Sequence, residues 1–356
     1  FGGRSRESEY LHYDAGMMRL LLATGLLGVA LSGCGNDQAQ LSVLELTGPT
    51  MGTSYSVKLV APPADIDREA LKAQIDGSLA RIEQRMSTYQ ADSELSLFNR
   101  SESTDWVEVS AELCGVIEQA LSVSEITSAF DITVGPLVNL WGFGPADAPP
   151  EPPDNNVIEE TLQNTGFEKL HTQCKTPAIR KDRADVYVDL SAYAKGYAVD
   201  QLAKLLSDHG LDDYLVEIGG ELRMHGHNAG RNLWSVAIEK PADFESTVQT
   251  IVQLTDVAVA TSGDYRNFFL FAGQRYSHTI DPNTGYPVTH NTAAVSVISE
   301  SAAFADAMAT ALLVLGVDEG LAVAEREGIA AYFMLRTDAG MEAYATEAFA
   351  EVAGPQ

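Results

Sequence analysis

The sequence predicts an α+β protein of layered mixed or antiparallel sheets and helices, arranged as two intimately joined lobes. Three observations support this fold class. Apolar residues repeat every three or four positions over 71–86, which is helical spacing. Short alternating strands separated by glycine turns dominate from residue 214 onward. The 356-residue chain is 45% hydrophobic and shows no internal repeat or domain linker, so the lobes should share a large core.

The first predicted elements are a strand pair and two helices. The alternating runs LSVLEL and SYSVKLVA flank GPTMGT at 48–53, which predicts two strands around a glycine turn. The helix over 71–86 follows and should end at Ser87. A second helix should begin after Ser110, whose hydroxyl can cap it, and run to about Ser128.

The middle of the chain reads as a surface loop, a short helix, a strand and a longer helix. The proline-rich stretch 145–153 is predicted to be the loop, and 157–164 the short helix. The strand is VYVDL at 186–190, and the longer helix should begin near Ala192.

The remaining strands and helices complete the α+β pattern. The strands lie in the runs YLVEIGGELRMHG, LWSVAIEKP, TIVQLTDVAVATSG and RYSHTIDPNTGYPV. The runs ESAAFADAMATALLVLG and DEGLAVAERE are predicted helices, and IAAYFML is a predicted buried strand.

The N-terminal region is typical of a bacterial lipoprotein precursor. Residues 17–33 combine a positive start at Arg19 with an apolar run too short to span a bilayer. The ending LSGC resembles a lipobox, which predicts lipidation at Cys34; the alternative is an ordinary signal peptide with a chance cysteine. We expect residues 1–16 to be upstream translation, 34–41 a tether and 42–350 the functional domain.

The net charge of −27 comes from 50 acidic and 23 basic residues that are spread along the chain. Such a surface excludes binding of nucleic acid through a basic face. It would also repel an anionic ligand. A phosphate-bearing substrate would therefore need compensation from backbone amides, a lysine or a metal ion.

Two cysteines besides Cys34 leave two alternatives open. Cys114 and Cys174 could form a disulfide in the oxidising compartment that an exported protein enters. Cys114 also lies on an apolar helical face, where a buried free thiol is common.

An acidic and a hydroxyl side chain lie one turn apart on the alanine-rich helix near the C-terminus. Asp306 and Thr310 share one helical face among small neighbours, which leaves room for a hard cation such as Mg²⁺. Alternatively, Thr310 bonds back to the carbonyl of Asp306, and Asp306 only caps the helix.

Three further segments bring polar groups to turns. His278 precedes the tight turn DPNTG, although it could equally be a structural histidine. The segments IGGEL at 218–222 and ATSGDYRN at 260–267 carry glycines and a hydroxyl to strand ends, where free amides can approach a ligand, but glycine turns usually only reverse the chain.

The stretch DLSAYAKGYAVDQLAKLL, at 189–206, places a lysine and a glycine where a helix should begin. Glycine costs about 1 kcal/mol there relative to alanine. Free amides at the helix start and the charge of Lys195 favour an anion, Gly196 permits close approach, and Asp189 can accept hydrogen bonds. A surface lysine on an ordinary turn is the alternative.

These segments together resemble the ApbE-type flavin transferases, which are FAD:protein FMN transferases. The resemblance covers about residues 42–346. It rests on ordered motifs: MGT, MSTYQADSELSLFN, AFDITVGPLVNLWGFG, VDLSAYAKGYAVD, IGGEL, ATSGDYRN, HTIDPNTG and ADAMATAL. Several motifs in the right order are more specific than any one of them.

The resemblance implies an enzyme of the phosphotransferase class that cleaves FAD, esterifies FMN to a threonine or serine hydroxyl of an acceptor protein, and releases AMP. Implied acceptors are subunits of the sodium-pumping NADH:quinone reductase or the Rnf complex. The implied location is the periplasmic face of the inner membrane, through a lipid anchor.

The resemblance also implies the site residues. The FAD contacts would be Met51, Tyr89, Ala129, Phe130, Asp131, Asp189, Lys195 and the backbone near Ile280. The side chains of Asp306 and Thr310 and the carbonyl of Ala192 would hold Mg²⁺. His278 is the candidate acceptor of the hydroxyl proton, with Asp281 or a substrate phosphate as alternatives.

Two other functions compete with transfer. The same Mg²⁺ site could pass FMN to water, which would make the protein an FAD pyrophosphatase. The chain could also be a flavin-binding lipoprotein without turnover.

Overall fold

The computed structural model describes residues 41–144, 151–241, 247–264 and 267–354. The predicted signal peptide, the lipidation site Cys34 and nearly all of the tether lie outside the described residues. Most of the predicted proline-rich loop also lies outside them.

The described helices follow the capping and periodicity signals of the sequence. Ser110 caps the third helix by accepting a hydrogen bond from the amide of Leu113. The helices are α1 (Arg68–Met86), α2 (Glu94–Arg100), α3 (Ala111–Ile126), α4 (Gly135–Leu140), α5 (Asn155–Leu162), α6 (Ala194–Asp208), α7 (Ala302–Glu327) and α8 (Glu347–Ala353).

The described strands form one large sheet and three small ones. The strands are β1 (Val43–Thr50), β2 (Thr53–Val60), β3 (Val107–Glu108), β4 (Leu170–Gln173), β5 (Ala178–Lys181), β6 (Tyr214–Ile218), β7 (Glu221–His225), β8 (Trp234–Lys240), β9 (Thr247–Leu254), β10 (Ala258–Gly263), β11 (Phe268–Phe271), β12 (Gln274–Ser277), β13 (Thr292–Ser299), β14 (Ala330–Thr337) and β15 (Gly340–Ala345).

The large sheet has eight strands in the order β1-β2-β6-β7-β10-β13-β14-β15, and each neighbouring pair is antiparallel. Side chains alternate between its two faces. One face packs against α1, α3, α6 and α7, and the other packs against the β8–β9 ribbon and α8. A separate apolar cluster joins α4 and α5 to the β11–β12 ribbon. The predicted α+β fold class is confirmed.

The longest helix, α7, lies at the centre of this packing. Gly316 adopts a φ of 75° and divides α7 into the two helices that the sequence predicts. The helix is long and apolar enough to cross a membrane, but 61% of its most apolar window is buried inside the fold. We therefore interpret α7 as a core helix.

The disulfide alternative is the one present in the structure. Cys114 of α3 is bonded to Cys174, which lies just after β4. The bond fastens α3 to the small β3-β5-β4 sheet.

Two predicted elements near the middle of the chain need correction. VYVDL at 186–190 is not a sheet strand, because its backbone bonds to the side chain of Asn99 and, through the Asp189 amide, to the carbonyl of Ile132 instead of to a neighbouring strand. The side-chain amide of Asn99 donates to the carbonyl of Val188 at 2.8 Å, and Asn99 Oδ1 accepts from the amide of Val188 at 2.8 Å. The following helix begins at Ala194, not near Ala192, since residues 191–193 form a separate turn.

Helices α6 and α7 meet so closely that their contact requires a glycine. A Cβ atom at Gly196 would lie 2.3 Å from the carbonyl oxygen of Ala302 and 2.7 Å from the Cα of Ala303. Asp200 of α6 strengthens the contact by accepting hydrogen bonds from Ser301 Oγ at 2.8 Å and from the amides of Ala302 and Ala303. The cost of a helical glycine is thus offset by helix packing.

Gly196→Ala should lower the free energy of unfolding by about 1–3 kcal/mol, because the added methyl group would press against backbone that cannot rotate away. Gly77→Ala in α1 is the matched control, since a Cβ at that exposed helical position meets nothing within 4 Å. The control should be neutral or stabilising by up to about 1 kcal/mol. Urea unfolding measures both; equal effects of the two substitutions would contradict the packing role.

Candidate active site

A cavity of about 590 Å³ opens where α6, α7 and the ends of several strands meet. Every predicted site residue except Met51 and Cys34 lines it. These residues are Tyr89, Ala129, Phe130, Asp131, Asp189, Ala192, Lys195, His278, Ile280, Asp306 and Thr310. Residues up to 221 positions apart in the chain, Tyr89 and Thr310, are therefore gathered at one place.

Met51 is not among the lining residues and lies in the two-residue turn between β1 and β2. Met51 and Gly52 both have positive φ, and the predicted six-residue turn is reduced to this pair. The Met51 amide donates to Glu83 Oε1 at 2.8 Å, which ties the turn to α1. The predicted contact of Met51 with FAD stays a prediction.

Lys195 is held between two buried carboxylates. Its Nζ donates to Glu221 Oε1 at 2.9 Å and lies 3.7 Å from Asp306 Oδ1. Burial works against the charged ammonium, but Asp306 and Glu221 outweigh it and raise the pKa of Lys195. Burial raises the pKa of Glu221, and Asp306 adds to this effect while Lys195 opposes it. Lys195 is therefore a fixed positive charge inside the cavity.

Asp306 and Thr310 lie at the α6–α7 contact. Asp306 is 3% exposed, and its Oδ2 accepts from the amide of Gly196 at 3.1 Å. That amide would donate to the Ala192 carbonyl in a continuous helix, but the helix begins only at Ala194. Thr310 Oγ1 lies 2.9 Å from Ser262 Oγ at the end of β10, so it has a partner other than the helix backbone.

The donor set fits a hard divalent cation. It would consist of the buried Asp306 carboxylate, the Thr310 hydroxyl and the Ala192 carbonyl, whose usual helical donor bonds to Asp306 instead. Mg²⁺ binds a few protein oxygens, and water or phosphate completes its coordination shell. Among the described residues there is no group of three or more histidine, cysteine or acidic side chains arranged to hold a metal ion. A site of this kind would therefore depend strongly on Asp306.

His278 is oriented by the backbone. Its Nδ1 lies 3.0 Å from the carbonyl oxygen of Asn267, which can only accept, so Nδ1 carries the proton and Nε2 is the acceptor. Burial lowers the pKa of His278; the Asn267 carbonyl and Asp264 oppose this, whereas Lys195 and Arg275 support it. The neutral imidazole is thus favoured at neutral pH. By contrast, both carboxyl oxygens of Asp281 are hydrogen-bonded within the DPNTG turn.

Asp131 stabilises the cavity wall through its side chain. Its Oδ1 accepts from the amide and hydroxyl of Thr133 at 2.7 Å, and its Oδ2 accepts from the amide of Phe167 at 2.8 Å. Burial raises the pKa of Asp131 despite these bonds. The Asp131 side chain therefore fixes the local backbone of the wall.

Asp189 also orders local backbone, because its Oδ1 accepts from the amide and hydroxyl of Ser191. Tyr89 lies at the cavity mouth and is 67% exposed, so its ring is available to a planar ligand or a partner. The interior wall near it is apolar, with Phe130, Val138 and Phe143.

Comparison with known proteins identifies the family. The model of the ApbE family matches residues 51–333, which is most of the chain. The chain belongs to the ApbE family. This membership confirms the resemblance that the ordered motifs indicated.

The sequences of its relatives are similar to this chain over nearly their whole length. It is 42% identical over 320 residues to an FAD:protein FMN transferase of Vibrio cholerae, covering 90% of this chain and 94% of the relative. An FAD:protein FMN transferase of Haemophilus influenzae is 39% identical over 338 residues, with 92% and 97% coverage.

Solved structures show the same fold. The flavin transferase ApbE from Vibrio cholerae superposes with a TM-score of 0.81 at 41% identity, covering 88% of this chain and 99% of that structure. The apo form of the Pseudomonas stutzeri flavinyl transferase ApbE gives a TM-score of 0.82 at 38% identity, with 90% and 99% coverage.

Sequence reasoning missed three residues of the site. Glu221 lies in IGGEL and Ser262 in ATSGDYRN, but the sequence indicated those segments through their glycines and an unassigned hydroxyl, not through these two side chains. Asn267 orients His278 through its carbonyl, which no side-chain pattern can reveal. The acidic residue in IGGEL was the one signal available.

The pKa of His278, followed by its ring signals in an NMR titration, should lie below the ordinary value of about 6.5. Lys195→Met should raise it, because removing a nearby positive charge favours the imidazolium. The ring signals that disappear in the His278→Gln variant are those of His278. An unchanged or lower pKa in the Lys195 variant would contradict the electrostatic coupling of the two residues.

Proposed function

We propose that the chain is an FAD:protein FMN transferase that moves FMN from FAD to a threonine or serine hydroxyl of an acceptor protein and releases AMP, with Mg²⁺ as cofactor. The observation that carries this proposal is the convergence of Lys195, Asp306, Thr310 and His278 on one cavity. The names of the relatives support the flavin-transfer chemistry.

Lys195 and the start of α6 form the part of the cavity suited to phosphate. The ammonium of Lys195 would bind the pyrophosphate of FAD and orient its phosphorus for attack. A divalent cation held by Asp306, Thr310 and the Ala192 carbonyl would neutralise negative charge on the departing AMP phosphate. Positioning and charge neutralisation supply most of the catalysis in phosphoryl transfer.

His278 supplies the proton acceptor. The acceptor hydroxyl oxygen forms a bond to the FMN phosphorus while the bond from that phosphorus to the bridging oxygen breaks, and AMP keeps the oxygen. The hydroxyl proton passes to Nε2 of His278, which is unprotonated because Nδ1 donates to Asn267. Asp281 is a poorer candidate because the turn uses both of its carboxyl oxygens.

The acceptor and the location form the rest of the proposal. The acceptors would be periplasm-facing subunits of the sodium-pumping NADH:quinone reductase or the Rnf complex. Cys34 would carry the lipid that anchors the enzyme to the periplasmic side of the inner membrane. The Cys114–Cys174 disulfide supports an oxidising compartment of this kind.

The purified enzyme, incubated with FAD, Mg²⁺ and a candidate acceptor subunit, should place covalent flavin fluorescence on the acceptor band of a denaturing gel. Asp306→Ala should reduce this transfer at least about 100-fold, because it removes the carboxylate on which the cation site depends. Asp208→Ala, which removes an exposed carboxylate of α6, is the matched control and should retain activity.

The same assay separates the competing functions. Release of free FMN and AMP at the same rate with and without acceptor, and no labelled band, would show a pyrophosphatase. FAD that stays intact with both the unchanged enzyme and Asp306→Ala would show a binding protein. Either result would overturn the transferase proposal.

A further inference from the structure

Glu221 is a buried carboxylate of the cavity that has no role in the proposed transfer. It is the first residue of β7 and is 4% exposed. Its Oε1 accepts from Lys195 Nζ, but its Oε2 is buried and has no hydrogen-bond partner among the described residues. Leaving a buried carboxylate oxygen unpaired is costly, so a structural ion pair alone is a poor explanation.

The position of Lys195 between two carboxylates raises a problem of charge. Asp306 is the carboxylate on which the cation site depends, and Lys195 Nζ lies only 3.7 Å from its Oδ1. An ammonium and a divalent cation at one carboxylate repel each other strongly in a buried site. With Asp306 as its only partner, Lys195 would compete with the cation for that carboxylate.

Glu221 removes this competition by giving Lys195 a nearer partner. The ammonium is 2.9 Å from Glu221, compared with 3.7 Å from Asp306, so it already favours the carboxylate that is not a predicted metal ligand. Asp306 Oδ1 then keeps capacity for a cation, while its Oδ2 is oriented by the Gly196 amide.

We infer that Glu221 is a positioning residue that holds the Lys195 ammonium away from Asp306, so that Lys195 and a divalent cation occupy the cavity together. The inference rests on the proposed function, because it assumes the cation site at Asp306. Two positive groups can then face one pyrophosphate, with two carboxylates beside them to hold them in place.

Binding of Mn²⁺ to the full chain without FAD tests this role independently of activity. Electron paramagnetic resonance of free Mn²⁺ gives the dissociation constant, and thermal melting checks that each variant folds. Glu221→Gln should weaken Mn²⁺ binding at least about tenfold, in the range for residues that support metal ligands. Glu217→Gln, on β6 of the same hairpin, is the matched control because its carboxylate binds the Gly220 amide instead.

A double-mutant cycle with Lys195→Met separates positioning from simple loss of charge. Lys195→Met should raise the Mn²⁺ affinity about tenfold more in the Glu221→Gln background than in the unchanged enzyme, since the effects of contacting residues are not additive. Equal effects of Lys195→Met in both backgrounds would overturn the inference. If Glu221→Gln does not fold, Glu221→Asp, which keeps the charge but shortens the reach, takes its place.

Asp306→Ala distinguishes failure of this inference from failure of the cation site. If Asp306→Ala abolishes Mn²⁺ binding while Glu221→Gln binds as the unchanged enzyme does, only the role of Glu221 is wrong. If Asp306→Ala also binds normally, the cation site of the proposed function is wrong, and the inference falls with it.

Discussion

The backbone contact between α6 and α7 at Gly196 is the constraint on which the site depends. Without a Cβ at that position, the start of α6 lies directly against the first turn of α7, and Asp200 fastens the two by capping α7. Ala192 and Lys195 come from one side of this contact, and Asp306 and Thr310 come from the other. The proposed cation site and the proposed phosphate contact of Lys195 would thus be a direct product of how two core helices pack.

The polar residues of the cavity divide into those that face a ligand and those that build the wall. Both carboxyl oxygens of Asp131 accept hydrogen bonds from neighbouring backbone and hydroxyl groups, so Asp131 shapes the loop before α4. His278 is the opposite case, because one ring nitrogen is fixed by Asn267 and the other is left to act. Asp131 and His278 both line the cavity but differ in whether an atom remains to accept a proton. Their hydrogen bonds reveal this difference.

Local sequence signals predicted the longer helices and the β1–β2 hairpin, since caps, apolar spacing and glycine turns act over a few residues, but they did not predict the short helices α2, α4 and α8. They failed where backbone partners are distant: VYVDL alternates like a strand, yet it pairs with the side chain of Asn99. The central strand β13 was not predicted, because its side chains are buried on both faces and show no alternation. The residues that the ordered motifs indicated, apart from Met51 and Cys34, line one cavity, and their roles stay a prediction. The pairing of Lys195 with Glu221 depends on tertiary contact and could not be read from spacing.

The charge of the cavity wall has a consequence for the order in which ligands bind. Five carboxylates line it, from Asp131, Asp189, Glu221, Glu239 and Asp306, against the single ammonium of Lys195 among the described lining residues. A dinucleotide pyrophosphate brings further negative charge to this wall, whereas a cation relieves it. Each should therefore raise the affinity for the other by the same factor, as thermodynamic reciprocity requires. With a cation at the proposed site, FAD would bind weakly when the cation concentration is low. The concentration of free Mg²⁺ would then set the fraction of the enzyme that has FAD bound.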